Sequence, residues 1–337
     1  MNSYNSNRTY QIKKEYHPMN YKMKKRSFTY LIGIGFLLVS ALVKAQQDPQ
    51  FTHYMYNMSV INPGYATDNA GVINVGGLYR TQWVGVVGAP KTGTVFVHSP
   101  IAKRIEAGLS IVSDAIGDVV HENNIYADVA YVIPLSETKR LSFGVKAGIT
   151  LFDADFNGFK YTDATPDDAF ADNISKSFPN VGAGAFYFGE NYYLGFSTPN
   201  LLTTKHLESK DGLKATGVED VHYFFTGGYI FDLSSSIRFK PAFMTKAVTG
   251  APISMDLTAN FLFNNKFELG AGYRVDDSVS GLAAFSITPN LRIGYSYDYT
   301  LTNLGEFNSG SHEIFILFDL DTSNLSSKGY EKSPRFF

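Results

Sequence analysis

Residues 253–261 read Ile253-Ser254-Met255-Asp256-Leu257-Thr258-Ala259-Asn260-Phe261, with apolar and polar side chains in strict alternation. Because successive side chains of a β-strand point to opposite faces, this run places its apolar residues on one face and its polar residues on the other. The pattern recurs at 267–275 and at 292–299. Repeated alternation over runs of about ten residues, separated by turns, is typical of a membrane-spanning β-barrel.

Fourteen such runs follow one another along the chain, and an even number is what a closed bacterial barrel requires. The composition agrees, since 27 Phe, 22 Tyr and 30 Gly against one Trp favour β-structure with close backbone approaches. We therefore predict an all-β fold, a transmembrane antiparallel β-barrel of about 14 strands. The runs lie at about 71–82, 92–99, 104–113, 122–133, 139–152, 179–188, 191–198, 220–231, 235–246, 252–263, 266–275, 278–287, 290–300 and 310–320.

The links between these runs alternate in length. Links from even to odd runs are short, as at 134–138 and 264–265, whereas every long link follows an odd run. This alternation predicts short periplasmic turns and long outer loops, with both termini in the periplasm. A secreted soluble β-sandwich, the alternative, gives no reason for it. The long links are 83–91, 153–178, 199–219 and 301–309.

Charged residues recur on the polar faces of the runs. A dry sandwich core would bury them at high cost, whereas a polar lumen would solvate or pair them. Five are acidic and five are basic, which predicts internal salt bridges or an occupied interior rather than an ion-selective pore. They are Glu106, Asp128, Lys146, Arg238, Lys240, Asp256, Glu268, Arg274, Arg292 and Asp298.

The amino-terminal region has the features of a secretory signal. A basic stretch at 24–26 precedes an apolar run at 31–43, and Val43-Lys44-Ala45 is a small-residue cleavage site. The apolar run is shorter than the roughly 20 residues of a spanning helix, which argues against the alternative of an uncleaved anchor. We predict an upstream extension plus signal peptide at 1–45, a signature segment at 46–70, the barrel at 71–320 and a carboxy-terminal tail at 321–337.

Charge and motifs exclude several classes of function. Residues 1–45 carry eight Lys or Arg and one acidic residue, which leaves 21 basic and 30 acidic residues behind them. An acidic chain is a poor ligand for nucleic acid. The sequence lacks catalytic and nucleotide-binding motifs, so we predict no enzyme activity, cofactor or metal. The acidic stretch 163–172 suggests calcium but lacks regular ligand spacing, and an outer loop is the preferred interpretation.

The signature segment is dense in aromatic and amide side chains and fits neither a helix nor a strand template. It reads Gln46-Gln47-Asp48-Pro49-Gln50-Phe51-Thr52-His53-Tyr54-Met55-Tyr56-Asn57 and continues to Ile61-Asn62-Pro63-Gly64-Tyr65-Ala66. Two interpretations stay open: its side chains bind a partner protein, or they seal the lumen. The residues concerned are Phe51, Tyr54, Met55, Tyr56 and Asn57, with a turn at Asn62 and Pro63.

A second candidate group ends the first predicted strand. Arg80, Gln82 and Trp83 lie close together in sequence, near the expected outer rim. Trp83 is interpreted either as an aromatic residue of the membrane-interface girdle or as part of a partner-binding surface.

These residues resemble the PorP/SprF family of outer-membrane proteins of the type IX secretion system. The signature segment carries most of the resemblance, supported by the blocks 79–83, 141–148, 178–188 and 192–196. The resemblance implies a non-enzymatic component of protein secretion in the outer membrane of a Bacteroidetes-like cell. It implies three partners: outer-membrane lipid, the secretion machinery and a secreted cargo with a carboxy-terminal sorting domain. In some members the cargo is a gliding-motility adhesin. A porin-like or fatty-acid-type transporter of small solutes is the alternative function.

Overall fold

The computed structural model describes residues 49–69, 71–156, 173–202, 204–205, 218–249 and 251–322. The predicted signal peptide, the acidic stretch 163–172 and residues 323–337 of the predicted tail lie outside these ranges. Among the described residues, no helix is long and apolar enough to cross a membrane.

Fourteen long strands in the described part of the chain form one closed antiparallel barrel, as predicted. Each long strand pairs with the next in the chain, and β1 pairs with β17 to close the sheet. A short strand, β11 (Phe231–Asp232), extends β10 and pairs with β12. The long strands are β1 (Val72–Thr81), β2 (Lys91–Ala102), β3 (Ile105–Ile116), β4 (Val120–Pro134), β5 (Arg140–Ala154), β6 (Ile174–Phe188), β7 (Tyr192–Thr198), β10 (His222–Tyr229), β12 (Ile237–Val248), β13 (Ser254–Phe263), β14 (Phe267–Arg274), β15 (Ser278–Thr288), β16 (Leu291–Thr300) and β17 (Ser311–Asp321).

The strand bounds follow the predicted runs closely, with two differences. Strand β6 begins at Ile174 rather than near 179, because its pairing with β5 continues as far as Ala154. The long link 199–221 contains a separate pair of short strands, β8 (Thr204–Lys205) and β9 (Val218–Glu219), which alternation over two residues cannot reveal.

The two rims of the barrel differ as the links predicted. One rim carries the short turns 103–104, 135–139, 189–191, 233–236, 264–266 and 289–290, and it is called the periplasmic rim here because the short turns of outer-membrane barrels face the periplasm. The opposite rim, called the outer rim here, is formed by the strand ends that border the long links 82–90, 155–173, 199–221 and 301–310 and the short links 117–119, 249–253 and 275–277. Strands β14 and β16 therefore run from the periplasmic rim to the outer rim, and β13 and β17 run back.

The alternation sorts side chains between lipid and lumen in the predicted register. Leu257 points outward and is 40% exposed, whereas the neighbouring Asp256 points into the lumen and is 9% exposed. Of the ten charged residues predicted to face the lumen, eight are buried there, while Arg238 and Arg292 are half-buried nearer the periplasmic rim. The register prediction is confirmed.

Candidate functional site in the barrel lumen

Residues 50–68, called here the lumen segment, run through the inside of the barrel. Every residue from Phe51 to Thr67 is buried. The expectation that this stretch forms no helix is wrong in detail, because Tyr54–Tyr56 form a 3-10 helix and Met58–Ile61 a single-turn α-helix, α1. Asn57 connects them, since its N–H donates to the Tyr54 carbonyl (3.1 Å) and its carbonyl accepts from Val60 (3.1 Å). Helices this short leave no periodicity in a sequence.

An ionic cluster near the outer rim holds the start of the lumen segment. The Glu313 carboxylate accepts the backbone N–H groups of Thr52 (2.8 Å) and His53 (2.6 Å). His53 Nδ1 lies 3.0 Å from the same carboxylate. Arg80 Nη1 lies 2.7 Å from Asp298 and 3.3 Å from Glu313, and it donates to the Thr52 hydroxyl (2.8 Å). Two barrel carboxylates and one arginine are thus paired with each other and with the segment.

The structure places Arg80 apart from Gln82 and Trp83. Arg80 is 2% exposed and points into the lumen. Gln82 and Trp83 follow the end of β1 at the outer rim, where Gln82 N–H donates to the Pro90 carbonyl (3.0 Å) and Trp83 N–H donates to the Ser311 hydroxyl (3.1 Å). Arg80 is still part of β1 and faces the lumen, whereas Gln82 and Trp83 lie beyond the end of the strand and belong to the rim.

A second ionic cluster, nearer the periplasmic rim, surrounds Tyr56. The Tyr56 hydroxyl donates to Glu268 (2.6 Å) and accepts from Lys240 (3.1 Å) and Arg292 (3.3 Å). Lys240 Nζ also lies 2.8 Å from Glu268. One tyrosine of the segment therefore links three charged residues from three strands.

Apolar contacts fill the space between the two clusters. The Tyr56 ring lies 4.6 Å from the Phe315 ring, and His53 meets the same ring edge-on at 4.7 Å. Tyr54 is fully buried, and its hydroxyl lies 3.1 Å from that of Thr258. Phe51, Met55, Met58 and Ile61 complete one apolar cluster with wall residues that include Leu78, Phe186, Tyr193, Phe224, Met244 and Phe315.

The predicted turn at Asn62-Pro63-Gly64 presses against glycines of the barrel wall. Asn62 Oδ1 accepts Gly64 N–H (2.8 Å), and Asn62 Nδ2 donates to the Ala185 carbonyl of β6 (3.1 Å). A Cβ at Gly144 would overlap the Pro63 carbonyl, and a Cβ at Gly184 would overlap the Asn62 side chain. The glycine-rich blocks of β5 and β6 are therefore where the wall makes room for the segment.

The segment leaves the lumen at the periplasmic rim. The buried Glu106 carboxylate accepts the N–H groups of Thr67 (2.9 Å) and Asp68 (2.7 Å), and Asp68 pairs with Arg140 (2.7 Å) at the exposed edge. The chain then enters β1 at Val72. At the opposite end, Gln50 accepts from Arg274 (2.8 Å), which is also bonded to Asp256 (2.6 Å).

The lumen is thus occupied rather than open. The cavity beside the segment at the outer mouth has a volume of about 70 Å³, and one farther inside has about 20 Å³. Both volumes are far too small for a polypeptide to pass beside the segment. Among the described residues, no group of three or more His, Asp or Glu is placed to hold a metal ion.

Comparison with known proteins gives a family. The model of the family described as "Type IX secretion system membrane protein PorP/SprF" matches residues 43–318. None of the curated proteins compared with the chain matches it.

Solved outer-membrane proteins match the chain at low identity and with TM-scores below 0.5. The Acinetobacter baumannii outer membrane protein Omp33 has a TM-score of 0.43 and 9% identity, covering 75% of this chain and 99% of that one. A Pseudomonas aeruginosa FadL homologue has a TM-score of 0.41 and 11% identity, covering 75% of this chain and 89% of that one. The TodX deltaS2S3 mutant monoaromatic hydrocarbon channel has a TM-score of 0.42 and 10% identity, covering 78% of this chain and 93% of that one. Likeness of this degree says nothing about substrate or partner.

Replacing Arg80 by Met should destabilise the folded barrel strongly. It leaves the carboxylates of Asp298 and Glu313 buried without their arginine, a loss that typically costs about 3–5 kcal/mol. The control is Arg238→Ala, whose partner Asp232 is 58% exposed and whose loss should cost at most about 1 kcal/mol. Samples of each variant are heated to increasing temperatures before electrophoresis. The temperature at which the fast-migrating folded band disappears measures the stability of that variant. Equal temperatures for the two variants would contradict the buried cluster.

Replacing Gly144 by Ala should loosen the lumen segment while the barrel remains. The added methyl group meets the Pro63 carbonyl, and overpacking of this kind typically costs about 1–3 kcal/mol. Limited chymotrypsin digestion of purified protein should therefore cut between residues 51 and 65 faster than in the unaltered chain. Gly281→Ala is the matched control, because a Cβ there meets no atom within 4 Å. Indistinguishable digestion of the two variants would rule out the tight contact.

Proposed function

We propose, since this chain belongs to the PorP/SprF family of type IX secretion system membrane proteins, that it handles the export or surface attachment of one partner protein. The chain lies in the outer membrane as a β-barrel. In this proposal it acts without catalysis, as a receptor or anchor that holds its partner by surface contacts. The partner is a secreted cargo with a carboxy-terminal sorting domain, and a gliding-motility adhesin is the specific candidate.

The occupied lumen is the observation that supports a receptor over a conduit. The lumen segment is buried from Phe51 to Thr67 and is bonded to charged residues at both ends of the barrel. A polypeptide could pass only if the segment left, and the hydrogen bonds of Thr52, His53 and Tyr56 to Glu313 and Glu268 would then be lost. Losing hydrogen bonds to charged groups, together with the buried aromatic contacts of the segment, makes displacement unfavourable. The cargo is therefore handled at a rim of the barrel and crosses the membrane elsewhere in the secretion machinery.

The lumen segment itself has two roles in this proposal. Its aromatic residues keep the lumen closed, and its ends contribute to the surfaces that the rims offer to partners. Large aromatic side chains supply much of the contact area in protein interfaces and in cores alike, so the same residues suit both roles. The small-solute transporter would need a displaceable segment, and the ionic contacts of Thr52, His53 and Tyr56 argue against one.

Replacing Phe51, Tyr54 and Tyr56 together by Ala should abolish display of the cognate cargo while the barrel still inserts. The change removes three buried aromatic side chains and the donor to Glu268. Surface display of sorting-domain proteins, quantified by mass spectrometry of shaved cells, should fall to the level of a strain that lacks the gene.

Two measurements make the outcome specific. Heat-modifiable migration of the variant establishes insertion, and Val279→Ala, which alters an outward-facing side chain of β15, should display cargo normally. Small-antibiotic sensitivity reports leakage through the lumen. Unchanged display combined with higher antibiotic sensitivity would mean that the segment only seals the lumen, and the proposed role in cargo handling would fail.

A further inference from the structure

The lumen segment runs through the barrel in a defined direction, which its contacts with strand β14 establish. Gln50 is bonded to Arg274, which ends β14 at the outer rim. Tyr56 is bonded to Glu268, next to the start of β14 at the periplasmic rim. At about 3.4 Å per residue, the two contact points lie about 20 Å apart along the strand. From Gln50 to Tyr56 the chain therefore descends from the outer side to the periplasmic side.

Other strands give the same direction. Thr52 and His53 contact Glu313, near the outer start of β17, and Thr52 contacts Asp298, near the outer end of β16. Thr67 and Asp68 contact Glu106 near the periplasmic start of β3. The early residues of the segment are thus near the outer rim, and the late ones are near the periplasmic rim.

The first described residues lie in the outer mouth. Pro49, Gln50 and Phe51 line a cavity there, together with Val60 and Ile61 of the same segment and residues of the barrel wall. The walls include Glu122 of β4, Lys246 of β12, Ser254 and Asp256 of β13, and Arg274 of β14. Each of these lies within a few residues of the end of its strand at the outer rim.

We propose that the amino-terminal end of the mature chain lies at the outer mouth and faces the outside of the cell. With the predicted cleavage behind Ala45, three residues precede Pro49, and three extended residues reach about 10 Å at most. This is the reverse of the periplasmic amino terminus expected from barrels in general. It follows from the contacts above and from the assignment of the short turns to the periplasm, and it does not depend on the proposed secretion role.

The orientation determines which partners reach which part of the segment. A polypeptide outside the cell meets Pro49, Gln50 and the mouth cavity. A periplasmic protein meets Asp68 and Arg140 at the other rim. The two ends of one continuous segment are thus presented on opposite sides of the outer membrane.

Cysteine labelling in intact cells tests the orientation, and the natural sequence contains no cysteine. Pro49→Cys and Asp68→Cys are the matched pair, one at each end of the lumen segment. A charged, membrane-impermeant maleimide should label Pro49→Cys in intact cells. It should label Asp68→Cys only after the outer membrane is permeabilised, since the Asp68 side chain is 43% exposed at the periplasmic rim.

Two further variants calibrate the experiment. Val87→Cys, on an outer link and fully exposed, gives the rate for an outside position, and Asn265→Cys, in a periplasmic turn, must stay silent until permeabilisation. Heat-modifiable migration identifies the variants that have folded, and Gln50→Cys replaces Pro49→Cys if the latter does not fold. Labelling of the position-49 or position-50 cysteine within about tenfold of the Val87→Cys rate supports the proposal. If that cysteine is not labelled in intact cells while Val87→Cys is labelled, the proposal is overturned.

Discussion

The structure depends on the pairing of charges inside a lumen that the wall side chains alone cannot fill. A barrel of about eight strands is filled by its own side chains, and larger barrels leave a channel or need a plug. Here the wall projects acidic and basic residues inward, away from lipid. Glu313 shows how they are satisfied: it accepts the backbone N–H groups of Thr52 and His53 and lies 3.3 Å from Arg80. Without the lumen segment these charges would face an aqueous channel.

The wall and the segment are matched to each other in shape as well as in charge. Glycines at 144 and 184 admit the turn at Asn62-Pro63-Gly64, which a side chain at either position would exclude. Tyr56 joins charges contributed by β12, β14 and β16, and thereby ties three strands together through one hydroxyl group. The aromatic and glycine-rich parts of the family resemblance thus meet in space, although they are far apart in sequence.

The strands could be predicted from sequence because membrane and lumen impose opposite requirements on alternate residues. The same alternation placed Asp256 and Leu257 on the correct faces. The partners inside the lumen could not be predicted, since the Arg80 contacts with Asp298 and Glu313 join positions more than two hundred residues apart and depend on strand register and barrel closure. The direction of the lumen segment was also beyond prediction, because it depends on contacts between distant positions, such as Gln50 with Arg274.

Conductance of the purified protein in planar lipid bilayers tests the central claim, that the lumen segment closes the barrel, most directly. A lumen occupied by buried residues from Phe51 to Thr67 predicts insertion without steady channel openings at moderate voltage and salt. A protein that lacks residues 49–66 and still inserts should conduct continuously. Steady porin-like conductance from the unaltered, folded protein would contradict the account.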